Sequence, residues 1–302
     1  MLAYKQEGFI AEAVDSALAQ DHTALEVLLS DDGSPDATWE IMQERAARYN
    51  GPHTITLNRM GQNVGLIAHF NAAVKRARGE VICYLAGDDI AKRDRVTTCA
   101  EQLAMRPHLA FVESAYCSFA QTPLPLESSA PLGMQEFSLA DYISGHAPNL
   151  SSSTRSFRAS LFLEFPDLDP GLSSEDTPSA LRLLMRGNGV RINRELLFKR
   201  AHDENVTGPA GLRKIDFDLI RHQYLRDIDH GLSRGFISSE QAAEMREWAH
   251  RSIARRKLRL LFDLDYPDWP QMRNRILPSE VLSARAKFYA FRRFLRGAMR
   301  RH

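Results

Sequence analysis

Cysteine is scarce in this chain of 302 residues: there are three, Cys83, Cys99 and Cys117, widely spaced and with no Cys-x-x-Cys. An odd, scattered set excludes a disulfide framework, speaks against a thiolate metal site and fits a reducing compartment. Long apolar runs are missing too, and none approaches the ~20 residues of a membrane-spanning helix. The opening Met1-Leu2-Ala3-Tyr4-Lys5-Gln6-Glu7 lacks the basic and apolar regions of a signal peptide, so a cytoplasmic location is expected. Charge of one sign is also lacking: 39 Lys+Arg stand against 38 Asp+Glu for a net +1, so no global field draws the protein to nucleic acid. Internal repeats and low-complexity tracts are absent. What remains, 44% hydrophobic and 25% charged residues, is the composition of a soluble globular protein with material for one large or two smaller domains.

Phe9, Ile10, Ala13, Val14, Ala17 and Leu18 fall at helical spacing, and the run Leu25-Glu26-Val27-Leu28-Leu29 after them has the length of a strand. Ser34-Pro35 supplies an N-cap and a first-position proline for a helix through Trp39, Ile41, Met42 and Tyr49. Residues 53–57 read as a strand, 66–78 as a helix stopped by Gly79, and Val81-Ile82-Cys83-Tyr84-Leu85 as a strand without polar alternation. Residues 92–105 read as a helix and 109–116 as a fourth strand. Buried strands separated by helices predict an α/β fold with a mostly parallel sheet flanked by helices, where ligands bind beyond the carboxyl ends of the strands. From residue 215 onward only Arg- and Leu-rich helical patterns continue. The expected division is an α/β domain over 1–212 and a helical C-terminal extension over 213–302.

Acidic residues collect at the predicted strand ends. Asp31-Asp32-Gly33-Ser34 follows the strand at 25–29 and precedes a helix; it reads equally as an Asp-Gly turn with a capping serine or as carboxylates facing a ligand crevice. Gly87-Asp88-Asp89 follows the strand at 81–85, with Asn63, Gly65 and Asn71 upstream. Paired carboxylates there are hard oxygen ligands suited to Mg²⁺ or Mn²⁺, and such ions usually bridge to substrate phosphates. A solvated turn explains one acidic strand end; two in one parallel sheet converge on one crevice. Glu175-Asp176 precedes the run Leu181, Leu183, Leu184, Met185, where favourable charge at a helix N-terminus is the plain alternative to chemistry.

Ala3-Tyr4-Lys5-Gln6, Asp31-Asp32-Gly33-Ser34, Asn63-x-Gly65, Asn71, Gly79-Glu80 and Leu85-Ala86-Gly87-Asp88-Asp89, in this order, resemble the family 2 glycosyltransferases of the GT-A fold. The likeness is dense over roughly the first 100 residues and thinner to about residue 208. It implies a nucleotide-binding sheet, a nucleotide-diphosphate sugar as donor and a glycan or lipid-linked hydroxyl as acceptor. By that resemblance Asp32 recognises the nucleotide base, and Tyr4, Asn63, Asn71 and Asp88 belong to the donor site. Asp89, with Asp88, holds a divalent metal, Mn²⁺ or Mg²⁺. Asp176 is the general base, with Glu175 beside it. Phe198-Lys199-Arg200-Ala201-His202-Asp203-Glu204-Asn205 is similar to the family's aromatic-Arg-x-His-x-x-Asn segment, which makes His202 a further metal ligand or a diphosphate contact.

Two departures from the family pattern stand out. The family's chain begins with a buried central strand before the Ala-Tyr element, and here Met1 falls almost on that element. Loss of that strand leaves unpaired ladder groups and an open core, so the expectation is an upstream start or a degenerate copy. Phe70 stands where the family often carries an arginine, and the Phe-Asn pair resembles rhamnosyltransferase-like members.

The expected activity is therefore inverting hexosyl or deoxyhexosyl transfer in polysaccharide biosynthesis. Its rivals are a non-catalytic sugar-nucleotide-binding or scaffold protein, and a nucleotidyltransferase on a similar sheet. The latter normally carries a Gly- and basic-rich phosphate loop, which nothing between Tyr4 and Phe9 resembles. Arg285, Lys287, Arg292, Arg293, Arg296, Arg300 and Arg301 alternate with Phe288, Phe291, Phe294, Leu295 and Met299, and no acid follows Glu280. Residues 281–302 thus read either as a basic amphipathic helix lying on the inner membrane face or as a helix packed on the domain.

Overall fold

The computed structural model describes residues 1–23, 25–119, 133–201 and 215–263, with 284, 285, 287, 288, 291 and 292. The chain divides into two compact units, Met1–His202 and Asp203–His302.

The first unit opens with a parallel sheet in the order β1 (Leu2–Ala3), β2 (Glu26–Asp31), β3 (Thr54–Arg59). Helix α1 (Ile10–Leu18) buries Ile10, Ala13, Val14 and Ala17, a stripe at i, i+3, i+4 and i+7. That stripe meets Val27 and Leu29 of β2, and Met42 of α2 (Thr38–Arg48) closes the same core. Helix α3 (Leu66–Arg76) follows β3. α2 starts later than Ser34-Pro35 suggests. The Ser34 hydroxyl bonds to Asp31, while Asp36 Oδ1 accepts the Thr38 N–H at 3.2 Å and its hydroxyl at 2.6 Å, so Asp36 organises the helix start.

A second sheet runs β4 (Val81–Cys83), β8 (Arg155–Arg158), β6 (Leu109–Phe119), β9 (Asn188–Arg200), β5 (Ile90–Ala91), and β7 (Met134–Phe137) also pairs with β9. Here β6 and β9 are parallel and the other pairings antiparallel. The α/β fold stands, with its parallel order complete in β1–β3 and mixed beyond. Helix α4 (Arg95–Met105) covers this sheet through Cys99 and Leu103, packed on Leu109, Val112, Val190 and Ile192. Three further helices complete the unit: α5 (Leu139–Ser144), α6 (Ala159–Leu163) and α7 (Asp176–Leu184).

β1 is a two-residue strand, and it joins the two sheets. Leu2 pairs with Ser30 and bridges to Ala86, and Ala3 pairs with Asp31. N-terminal to it the sheet parts. Among the described residues β4 pairs only with β8, and the β1-side edge of β2 below Ser30 meets only the Met1 nitrogen, which donates to Leu28 O at 2.8 Å. Between these edges lies a cavity of about 580 Å³ lined by residues that include Met1, Val27, Val74, Ile82 and Leu103. The expected open core and unpaired edges are thus present, while the carboxyl end of the strand, the part nearest the acidic turns, is in place.

In the second unit, helices Phe217–Ser233 and Ser239–Asp263 pack on each other, the Tyr224 and Trp248 ring centroids lying 5.2 Å apart, and Ile228, Met245 and Ala249 are buried. Asp216 caps the first helix by accepting the Asp218 and Leu219 N–H groups. Of the basic stretch 281–302, only Ala284, Arg285, Lys287, Phe288, Phe291 and Arg292 are described; they are helical, and Phe288 is exposed. The rest of that stretch lies outside the described residues.

Candidate active site

The carboxyl ends of β2 and β1 carry the first part of the site. Gly33 has φ +68°, and a Cβ there would come within 2.7 Å of the Gln62 backbone, so the turn after Asp32 admits only glycine. This close approach delivers the loop at 62–65 to Asp32. The buried Asp32 carboxylate accepts the Val64 N–H at 2.9 Å and the Gly65 N–H at 3.0 Å, and its own N–H donates to Ala3 O. Asn63 is exposed and its Oδ1 also accepts the Gly65 N–H. Tyr4 stands 37% exposed at the end of β1, its following residues tied down by bonds from Lys5 N to Ser34 Oγ and Gln6 N to Thr38 Oγ1. Asn71 is buried, and its amide makes both bonds to the Leu168 backbone, at 2.8 and 3.2 Å.

The second part sits one strand over. A Cβ on Gly87 would lie 2.3 Å from Gln6 Oε1 and 2.9 Å from Ala3, so glycine lets the chain after β4 close onto β1. Asp88 and Asp89 follow. Asp89 is buried, its Oδ1 accepts the Arg200 N–H at 3.0 Å, and Arg200 Nε donates to Asp88 O at 3.0 Å. Burial, then the neighbouring Asp88 charge, pushes the Asp89 carboxyl up to about 7. Arg200 is itself sandwiched between the Phe9 and Phe119 rings, 4.8 and 4.5 Å from their centroids, and pairs with Glu12. Because β1 separates the strand ends bearing Asp32 and Asp88, their backbones are two strand spacings apart, roughly 10 Å.

The third part is the start of α7. Glu175 is buried, and burial followed by the Asp176 charge raises its carboxyl well above the usual range. Asp176 is half-buried; its Oδ1 accepts the Ser152 N–H at 2.7 Å. Tyr84 ties this part to the second. Burial, then the charges of Glu175, Asp88, Asp176 and Asp89, pushes its phenol well above its ordinary value, so charges from both parts act on it. Sequence reasoning missed Tyr84, because it lies inside an apolar run that reads as plain strand. It passed over Arg200 too, although the residue stood inside a quoted motif. His202 lies outside the described residues.

Two adjacent carboxylates, one buried and repelled by the other, form a hard donor set that a divalent cation relieves. Such ions are commonly held by one or two carboxylates and complete their shell with substrate phosphates. Among the described residues no cluster of three His, Cys, Asp or Glu could hold a metal ion. The fit is therefore to an ion shared with a phosphate-bearing substrate.

A twisted α/β sheet with acidic turns converging beyond its strand ends defines a nucleotide-binding class of fold. Residues 1–165 match the family described as Glycosyl transferase family 2, and the chain belongs to it. Chondroitin synthase of Escherichia coli is 36% identical over 110 residues, 36% of this chain and 16% of that protein. The putative teichuronic acid biosynthesis glycosyltransferase TuaG of Bacillus subtilis is 30% identical over 125 residues, 41% of this chain and 48% of that one. The matched segment thus spans less than half the length of these relatives. Among solved structures, S. aureus TarS 1–349 in complex with UDP-GlcNAc superposes with a TM-score of 0.64 at 18% identity, covering 91% of this chain and 78% of that one. The mannosyltransferase PcManGT from Pyrobaculum calidifontis, in complex with GDP-Man and Mn²⁺, gives 0.57 at 14% identity, covering 96% and 81%. These likenesses show the GT-A fold. Among the described residues no helix is long and apolar enough to cross a membrane.

Proposed function

We propose that the protein is an inverting glycosyltransferase that moves a sugar from a nucleotide-diphosphate donor to a hydroxyl of a glycan or glycolipid. The observation that carries this reading is that the acidic turns after β2 and β4, bearing Asp32 and Asp88-Asp89, flank the carboxyl end of β1, with Arg200 holding the second of them. In this reading Asp32, whose carboxylate already orders the loop at 63–65, accepts the imide N–H of a pyrimidine base, and the exposed Tyr4 ring stacks on it. Asn63 borders the base. Asn71 acts at one remove, by fixing Leu168.

Asp89 and Asp88, with His202 as a further candidate, would hold Mn²⁺ or Mg²⁺, which supplies charge neutralisation for a departing diphosphate. Asp176 takes the proton of the acceptor hydroxyl as its oxygen attacks the anomeric carbon; the carbon–oxygen bond to the diphosphate breaks on the opposite side, and configuration inverts. Burial raises the Glu175 carboxyl to about 7, so below that pH it is protonated and does not compete for that proton. Polysaccharide synthesis is the setting that the names of the relatives support.

The reading is tested with a panel that includes UDP-GlcNAc, UDP-glucose, UDP-glucuronate, GDP-mannose and dTDP-rhamnose, each with and without Mn²⁺. Thermal shift reports binding, because a ligand of the folded state raises apparent stability by mass action, and nucleoside-diphosphate release reports turnover. A Mn²⁺-dependent shift and release with at least one donor is expected; binding without release, across the panel and with glycan acceptors added, favours the non-catalytic reading. A lipid-linked acceptor would suit the basic stretch 281–302. Equal binding of the full chain and of a chain ending at residue 280 to anionic vesicles would remove that suggestion.

A further inference from the structure

The first unit holds a buried ion pair that the donor site does not use. Glu113 on β6 is fully buried and Arg155 at the start of β8 nearly so. Arg155 Nε donates to Glu113 Oε1 at 2.8 Å, and the guanidinium lies over the Phe111 ring, 5.3 Å from its centroid. Removing two charges from water is costly, and an apolar pair of similar volume would pack at least as well, so packing alone does not account for the pair.

Arg191 also lies 3.8 Å from Glu113 Oε2, and the pair's remaining hydrogen bonds lead to one place. Arg155 Nη1 donates to Asp176 O at 2.7 Å and to Ser179 Oγ at 2.6 Å, which fixes the first turn of α7. Glu113 Oε2 accepts the Ser151 N–H at 2.7 Å, and the next amide, that of Ser152, donates to Asp176 Oδ1 at 2.7 Å. The pair therefore grips Asp176 twice, once by its main chain and once, through residues 151 and 152, by its carboxylate. Among the described residues no hydrogen bond reaches Oδ2. A carboxylate with one oxygen anchored and the other unengaged is oriented for a proton arriving from a single direction, and such orientation is worth large factors in rate.

We infer that Arg155 and Glu113 form a positioning unit that aims the Asp176 carboxylate at the acceptor hydroxyl. The inference rests on reading Asp176 as the general base, and it assigns the pair a place in turnover but none in donor binding.

The decisive variant replaces both charges together, Arg155→Met with Glu113→Leu, because losing one alone would strand the other in the core. With the donor of highest turnover from the panel above, kcat is expected to fall about 10- to 100-fold, the scale of a mispositioned catalytic group. Donor KM should stay near that of the parent, while the melting temperature falls, because the Ser151 N–H and the Asp176 carbonyl lose their partners. Exchange of the Ser152 amide should quicken at least tenfold, roughly, as its tether through Ser151 is lost. In an Asp176→Asn background the same pair of changes should cost no further rate. Normal kcat in the folded double variant overturns the inference, as does a further loss of rate in the Asp176→Asn background. Normal turnover by Asp176→Asn alone instead overturns the reading of the base. Should the double variant fail to fold, Arg155→Lys takes its place: it keeps the charge and loses the fork, and a parental kcat there, at parental donor KM, also sinks the inference. For a panel without turnover, the Ser152 amide decides: unchanged exchange overturns the positioning role.

Discussion

Arg200 donates its main-chain N–H to the Asp89 carboxylate at 3.0 Å while its side chain holds the Asp88 carbonyl, so the last residue of β9 clamps the acidic turn after β4. The contact joins residues 111 positions apart and explains why Asp89, at a strand end, is buried. It also decides how Asp89 should be varied. Alanine would leave the Arg200 N–H unpaired, at a cost of about 1–3 kcal/mol, whereas Asp89→Asn keeps an acceptor there. Asp89→Asn is expected to preserve the fold and to reduce Mn²⁺-dependent turnover at least 100-fold, roughly. Circular dichroism and nucleoside-diphosphate release across a Mn²⁺ titration check it, and unchanged turnover in chelator-treated buffer would remove Asp89 from the metal site.

In the proposed reading Asp32 has two tasks that substitution can separate. Its oxygens receive the Val64 and Gly65 amides, so Asp32→Ala should loosen the loop at 63–65 as well as weaken the donor. Asp32→Asn retains one acceptor oxygen. We expect a donor KM raised roughly tenfold, with a smaller change in kcat, for Asp32→Asn, as for a residue that binds substrate and transition state alike. For Asp32→Ala we expect the same loss together with about 1–3 kcal/mol of stability. A fall in kcat at constant KM would place Asp32 in the chemistry instead.

The legible part of the sequence was the part where local pattern and buried chemistry coincide. The helical stripe Ile10, Ala13, Val14 and Ala17, the strand at 25–29 and the acidic turns at Asp32 and Asp89 all carry their signal within a few residues. Strand β7 follows a low-pattern stretch, and β8 is only four residues long, Arg155–Arg158, with arginine at both ends. Arg155 is buried because Glu113, 42 positions away, meets it, and no local periodicity encodes such a partner. The same holds for Tyr84, on which the charges of Glu175 and Asp176, far along the chain, act. Ser34-Pro35 misled for the opposite reason, since the Ser34 hydroxyl turned back to Asp31 and left the helix start to Asp36.

Glu175 and Asp176 are adjacent, and their environments separate them. Burial raises the Glu175 carboxyl from 4.5 to about 7. A carboxyl raised in the folded state favours folding when protonated: the contribution is complete below pH 4.5, and it is lost as pH climbs through about 7. Glu175→Gln removes that loss. Melting temperatures of the variant and parent should therefore agree near pH 4.5 and diverge toward pH 8. The variant should be the more stable there by on the order of 1–3 kcal/mol, at about 1.4 kcal/mol per pKa unit. Asp176→Asn should instead cut turnover about 10²- to 10⁴-fold while keeping donor affinity. If Glu175→Gln abolishes turnover and Asp176→Asn does not, the two exchange roles.

The cavity between β2 and β4 is bounded on two sides by strand edges that, among the described residues, lack a partner strand. Met1 already makes parallel ladder bonds to β2, its nitrogen donating to Leu28 O and its carbonyl accepting the Ser30 N–H, while Leu2 bonds across to Leu85 and Gly87. Extending that register backward from Leu2, which pairs with Ser30 on one side and Ala86 on the other, sets the four positions ahead of Met1 opposite residues 28 to 25 along the β2 side and 84 to 81 along the β4 side. Four extended residues span about 13 Å, and Ala17, Val74 and Leu103 among the cavity walls demand apolar side chains on both faces. A Val-Ile-Val-Ile segment fused ahead of Met1 should therefore fill the cavity and pair with both exposed edges. Filling the cavity and pairing both edges should raise the melting temperature, at roughly 2–4 °C per kcal/mol gained for a unit of this size. A Gly-Ser-Gly-Ser extension of equal length should give no such rise. Equal melting temperatures for the two extended chains would mean that the cavity does not accept a strand.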